Sequence, residues 1–219
     1  MDIYILVLSL LVATANARPT DGDKSSPISV AAELGGGILF ANSNISPYGV
    51  GCRSAYGNGF SANVKMDYAL GRVWTVGVKY NYFTTSADYG ISTGGWAADD
   101  VTLHYVGPQV GLRYALGKGV SLGYAVGVGC MLYDSNLLES GEKELEHNTA
   151  FLAANVDMSL SYRVRKGLYL GITASVNGGQ SGSLKQKQDG QSLPDLDLDK
   201  WDKIRVVKAD VMFSIRGEF

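Results

Sequence analysis

Several things are scarce in this 219-residue chain, and each scarcity excludes a class of explanation. Cysteine occurs twice (Cys52, Cys130) and histidine twice (His104, His147), all isolated, so no spaced ligand set for a metal exists. A net charge of −2 provides no basic surface for nucleic acid. The apolar run at residues 3–12 is too short to cross a bilayer as a helix. No motif recurs at a period of 20–50 residues, which removes the solenoids and propellers. Gly35-Gly36-Gly37 is followed by neither Lys-Ser/Thr nor a helical pattern, so it is not a phosphate loop. No cofactor, no metal and no nucleic-acid partner are expected.

What is abundant is glycine, with 28 residues, and tyrosine, with 13. Tyrosine favours positions that are half apolar and half wet. The N-terminal apolar run leads into Ala15-Asn16-Ala17, a small-x-small site, and reads as a signal peptide over residues 1–17. Asp2 departs from that pattern, because a basic residue is usual there. Residues 18–27 then form a polar leader on the periplasmic side, and residues 28–219 one domain. Export would permit a disulfide. Cys52 lies in a loop and Cys130 on an apolar strand face, however, and both are expected as free thiols.

The last thirteen residues alternate to the end. Val207, Ala209, Val211, Phe213, Ile215, Gly217 and Phe219 form one phase, while Lys208, Asp210, Ser214, Arg216 and Glu218 fall in the other. A period of 2 marks a strand with one face in hydrocarbon. Seven earlier segments repeat it, for instance Phe60, Ala62, Val64, Met66, Tyr68 and Leu70, or Val120, Leu122, Tyr124, Val126, Val128, Cys130 and Leu132. Strand four breaks phase, with Val110, Leu112, Tyr114 and Leu116 in one register but Leu103 and Tyr105 in the other. A bulge near Val106-Gly107-Pro108 is the expected reconciliation. The same phase would turn His104 inward.

Short glycine-bearing connections (Leu70-Gly71-Arg72-Val73, Leu116-Gly117-Lys118-Gly119, Val164-Arg165-Lys166-Gly167) alternate with long polar ones at 41–58, 84–100, 134–148 and 178–202. Strict alternation requires an up-and-down meander with all tight turns at one end. A soluble barrel would also alternate, so the second face decides. On strand five it reads Ser121, Gly123, Ala125, Gly127 and Gly129, small residues suited to a crowded lumen and not to water. Aromatics form two expected girdles: Tyr68, Trp74, Tyr114, Tyr162 and Phe219 beside the tight turns, and Phe40, Phe60, Tyr80, Tyr82 and Tyr105 near the long loops. The fold class is therefore all-β, an eight-stranded antiparallel up-and-down transmembrane β-barrel.

The closing strand that ends on Phe219, and the stretch Leu103-His104-Tyr105-Val106-Gly107-Pro108-Gln109-Val110-Gly111-Leu112-Arg113-Tyr114, resemble the small bacterial outer-membrane barrels. The chain is most similar to the porin-like outer membrane protein beta-barrel domain family. That resemblance implies the outer membrane as location, outer-membrane lipid and lipopolysaccharide as surroundings, and the barrel-assembly machinery as a partner through the C-terminal strand. It implies no catalytic signature.

With the apolar phase outward, the lumen receives Glu33, Lys65, Asp67, Lys79, Arg113, Asp157, Lys208 and Asp210, with Arg163, Arg216 and Glu218 near the turn-side rim. Six basic and five acidic groups can nearly neutralise one another, as buried charges must. The expected function is a monomeric barrel with a charge-plugged lumen, acting through its outer loops on an unknown ligand. Tyr48, Tyr56, Tyr89, Trp96 and Trp201 supply contact aromatics there. A narrow channel for ions or small solutes is the alternative. A lipid-modifying enzyme is a remote one, resting only on His147-Asn148-Thr149, and no catalytic residue is expected.

Overall fold

The computed structural model describes residues 27–40, 56–91, 95–139, 143–188, 190–197 and 203–219. The proposed signal peptide, nearly all of the leader, Tyr48, Cys52 and Trp201 lie outside the described residues.

The described residues form eleven strands: β1 (Ile28–Leu39), β2 (Asn58–Leu70), β3 (Trp74–Ile91), β4 (Gly95–Gly117), β5 (Val120–Glu139), β6 (Lys143–Arg165), β7 (Leu168–Ser181), β8 (Ser183–Gln188), β9 (Gln191–Ser192), β10 (Leu196–Asp197) and β11 (Ile204–Glu218). Strands β1 to β7 pair antiparallel in sequence order; β11 pairs with both β7 and β1, which closes a ring of eight. Within the ring, closure removes the free edges that are the main aggregation hazard of a sheet. Gly71, Gly117, Gly119 and Gly167 hold positive φ in the three tight turns, where a side chain would be strained.

The stagger of the ring can be walked from partner to partner. Ser29 faces Asp67, then Gly77, Gln109, Gly127, Asn155, Asn177, Lys208 and finally Leu39, ten residues along β1 from the start. That offset tilts the strands and leaves an interior just wide enough for side chains. The outer wall is hydrocarbon: Val64, Val78, Val126, Leu152, Val156, Ile172, Val211 and Phe213 all point outward, the last 76% exposed. A water-soluble monomer exposes apolar patches of only a few hundred Å². This wall is built for lipid.

Two expectations need correction. The expected bulge in β4 does not form: the β3–β4 ladder runs from Trp74↔Leu112 to Ile91↔Gly95 without a shift. Leu103 and Tyr105 consequently point inward and are buried, so Tyr105 is not part of an outer girdle. His104 turns outward instead, where Tyr80 Oη lies 2.8 Å from its Nδ1 and the Tyr82 ring lies 5.4 Å away. Two of the long connections are also more ordered than a polar loop. β3–β4 and β5–β6 continue as ladders through most of 84–100 and 134–148. The fourth contains β8, which pairs with the outer end of β6.

The physical reason is a change of solvent along the strand. Beyond the hydrocarbon belt the outward positions are Asp88, Asp100, Asp134, Asn136 and Asn148, while the inward ones are Phe83, Val101, Leu103, Met131, Tyr133 and Phe151. Within lipid the barrel is apolar outside; above it, the same ladder is apolar inside.

Candidate functional site

The lumen is filled in layers, and each follows from which inward residues the stagger brings to one height. In the middle layer Asp157 of β6 lies 2.8 Å from Lys65 of β2 and 2.8 Å from Lys79 of β3. Lys65 also reaches Glu33 of β1 at 3.0 Å. Glu33 accepts further hydrogen bonds from Asn63 (2.8 Å) and Thr173 (2.7 Å). Lys79 donates to Ser175 at 2.8 Å, and Asn155 donates to Asp157 at 2.8 Å. Two carboxylates and two ammonium groups thus form one chain with short contacts to neutral polar neighbours. Ion pairs survive this degree of burial only with such support; Lys79 is 1% exposed. On the outer side of this layer Lys208 pairs with Asp210 and sits 5.0 Å from the centre of the Phe83 ring.

Nearer the tight turns lies a looser layer. Gln109 donates to Asp67 at 2.7 Å. Arg113 stands 3.7 Å from Asp67 and 3.4 Å from Glu218, and Arg216 stands 3.6 Å from Glu218. The structure therefore brings together all eight of the expected lumen charges and two of the rim charges, five of each sign. Arg163 stays exposed on the rim. A cavity of about 50 Å³ separates the two layers, room for a few waters. The turn-side mouth opens as a second cavity of about 250 Å³.

Small inward residues of β4 and β5 accommodate large neighbours. A Cβ at Gly107 would stand 2.7 Å, and one at Gly127 3.1 Å, from the hydroxyl of Tyr105. Cys130 points outward as a free thiol. Of the aromatics assigned to girdles, Tyr68, Trp74, Tyr162 and Phe219 are exposed outward near the turns, with Tyr114 half-buried beside them. Phe40, Phe60 and Tyr80 are exposed outward near the outer end, and Tyr82 is half-buried.

Above the charged layers is a group that sequence reasoning missed. Leu39, Phe83, Val101, Leu103, Tyr105, Met131, Tyr133, Phe151, Leu184 and Val206 form a buried apolar cluster at and beyond the height of Phe40 and Leu152. Its signal was the phase break in strand four, which was readable but open to another explanation. Still further out, Asp99 accepts hydrogen bonds from Tyr56 and from Ser135, the latter at 2.7 Å. Tyr56 is thus buried and not an exposed loop aromatic, whereas Trp96 is exposed at the β3–β4 tip. His147 is the cross-strand neighbour of Ser135, and burial holds its imidazole below the usual histidine range, with Asp99 opposing in part. Ser135 gives its proton to Asp99 and not to His147, which is not the arrangement of an activated serine.

Comparison with known proteins agrees with this architecture. A major outer membrane protein of Thermus thermophilus is similar at a TM-score of 0.58 and 13% identity, over 90% of this chain and 100% of the other. OprG of Pseudomonas aeruginosa gives 0.57 at 10% identity, over 88% and 97%. The outer membrane protease OmpT of Escherichia coli gives 0.53 at 8% identity, over 91% and 99%. No protein-family model matches the chain, and no curated protein matches it. One of these three is a protease, so this fold is compatible with an enzyme as well as with other roles. The chain thus has the fold of a β-barrel closed by a ring of eight strands, similar to that of small bacterial outer-membrane proteins.

Proposed function

We propose that the protein is an integral outer-membrane barrel with a closed lumen, that it is not an enzyme, and that its work is done by the outer hairpins. The observation that carries this reading is the stacking of two fillings in one bore. Ten balanced, mutually paired charges are roofed by an apolar cluster that includes Phe83, Tyr105 and Phe151. An ion crossing that bore would have to break short buried ion pairs and then pass a buried apolar layer. The outer hairpins, by contrast, are continuous ladders that present Trp96 and a polar outer face, a platform suited to an external ligand. The surroundings in this reading are membrane lipid and lipopolysaccharide against the aromatic residues. In this reading the assembly machinery engages β11 and the residue that follows it, Phe219, which is 72% exposed. A ring whose eight strands close on one another favours a monomer.

Single-channel recording on the refolded protein in planar bilayers tests the reading. The expected result is no steady conductance, or rare small openings. A stable ohmic conductance whose ion selectivity inverts in Lys65→Glu would replace the closed barrel with a narrow channel.

A further inference from the structure

We propose that the turn-side mouth of the barrel is a binding site for a phosphate-class anion, held by Arg113 and Arg216 with Lys118 and Arg72 around them. Three features of the mouth point there. The first is its charge. The 250 Å³ cavity is lined by Arg72, Arg113, Lys118, Arg163 and Arg216 against a single carboxylate, Glu218. Arg113 and Arg216 belong to the balanced layer with Asp67 and Glu218, and Arg72, Lys118 and Arg163 add three further cations to the lining of the mouth.

The second is the state of Arg216. Its side chain is more than nine-tenths buried, its guanidinium lies 4.2 Å from the centre of the Tyr169 ring, and its Nη2 reaches Ser121 at 3.3 Å. Its Nε has no hydrogen-bond partner among the described residues, although it is shielded from solvent. A buried guanidinium N–H without an acceptor is costly, and the ordinary remedy is an oxygen-rich ligand or water. The carboxylate contacts at this level, 3.4–3.7 Å, are long beside the 2.8 Å pairs of the middle layer. The two guanidinium groups therefore retain donor capacity.

The third is how the cations are positioned. Lys118 is the one non-glycine among the described residues with positive φ, at 51°. That conformation is uncommon for a residue with a side chain, and here it accompanies a lysine that lines the cavity. Two planar forks and an ammonium group match a tetrahedral oxyanion, since each fork can hold two oxygens and the ammonium a third. Trp74, at the height of the lower aromatics, also lines the cavity, so either a lipid headgroup phosphate or a soluble phosphate could enter.

The test uses the full chain refolded in a phosphate-free nonionic detergent, titrated calorimetrically with inorganic phosphate and separately with a short-chain phosphatidylglycerol. Saturable binding of one equivalent per barrel is expected, weakening as salt rises. Lys118→Gln and Arg72→Gln, both on the exposed rim of the folded barrel, should each weaken it by about tenfold. Arg216→Lys, which keeps the charge but loses the fork, should weaken it too. Phosphatidylglycerol binding at least tenfold tighter than phosphate assigns the site to a headgroup, and equal affinities assign it to the free anion. Absence of saturable binding by both probes, or binding left unchanged by all three variants, overturns the proposal.

Discussion

Strand β4 passes through two environments, and its two halves solve opposite problems with one backbone. From Val106 to Leu116 its even positions, Val106, Val110, Leu112 and Leu116, face outward into hydrocarbon, and Gln109 and Arg113 face the lumen. From Ala97 to Tyr105 its odd positions, Ala97, Val101, Leu103 and Tyr105, are buried inward, while Asp100, Thr102 and His104 face out. The pairing with β3 runs unbroken through both. The lower half is apolar outside because its solvent is lipid, and its polar side chains must find partners inside. The upper half is apolar inside because its solvent is water. An inversion of the hydrophobic phase within one continuous strand thus marks the surface of the membrane.

The largest expected effect lies in the lower half. Asp157→Leu leaves Lys65 and Lys79 buried without their shared carboxylate and should cost about 3–5 kcal/mol in urea unfolding from lipid vesicles. A loss below 1 kcal/mol would mean that water, not pairing, accommodates these charges. Next comes a pair of truncations on the same strand. Leu103→Ala should cost about 2–4 kcal/mol, because it opens a cavity in a buried apolar cluster. Val110→Ala should cost less, since lipid chains can close over it. If the order were reversed, the inverted phase would be wrong and a bulge at 106–108 would return as the explanation.

A smaller effect concerns pH in the outer extension. His147 is held neutral by burial, below its ordinary value of 6.5. An unfolded chain therefore binds a proton more readily than the folded one in this window. The stabilisation is fully present above pH 6.5 and is lost as pH falls through the lowered folded value. The protection factors of the β5–β6 hairpin amides, corrected for the slower intrinsic exchange in acid, should fall from pH 7 to pH 5, and His147→Gln should flatten that response. A wild-type hairpin equally protected at both pH values would contradict it. The smallest effect is Tyr105→Phe, whose hydroxyl is buried without a hydrogen-bond partner among the described residues. Removing it should be neutral or slightly stabilising in the same unfolding assay. A loss above 1 kcal/mol would reveal a bound water that the hydroxyl requires.

Much of the architecture was written locally. Lipid outside a strand demands an apolar residue at every second position, and this demand falls on each strand separately. Alternating segments such as 120–132 and 207–219 could therefore be recognised one at a time. Glycine at the tight turns, and the alternation of short and long connections, then made a closed meander the consistent topology. The identity of the lumen charges was legible for the same reason, since a charge in the inward phase has nowhere else to go. Who pairs with whom was not legible. Asp157 meets Lys65 and Lys79 from strands four and three places away in chain order, and Glu33 meets Thr173 140 residues away.

By itself, then, the sequence determined an eight-stranded membrane barrel, its turn end and its loop end, and the set of charges inside it. Each of these depends only on period and composition along the chain. The tertiary structure alone decided the ten-residue offset that selects the ion pairs, the apolar roof above them and the cation-rich mouth below. It also decided which way Tyr105 and His104 point. A change of side-chain phase looks the same in one dimension whether the backbone slips by a residue or the solvent outside changes. Only the hydrogen-bonded register between β3 and β4 separates the two.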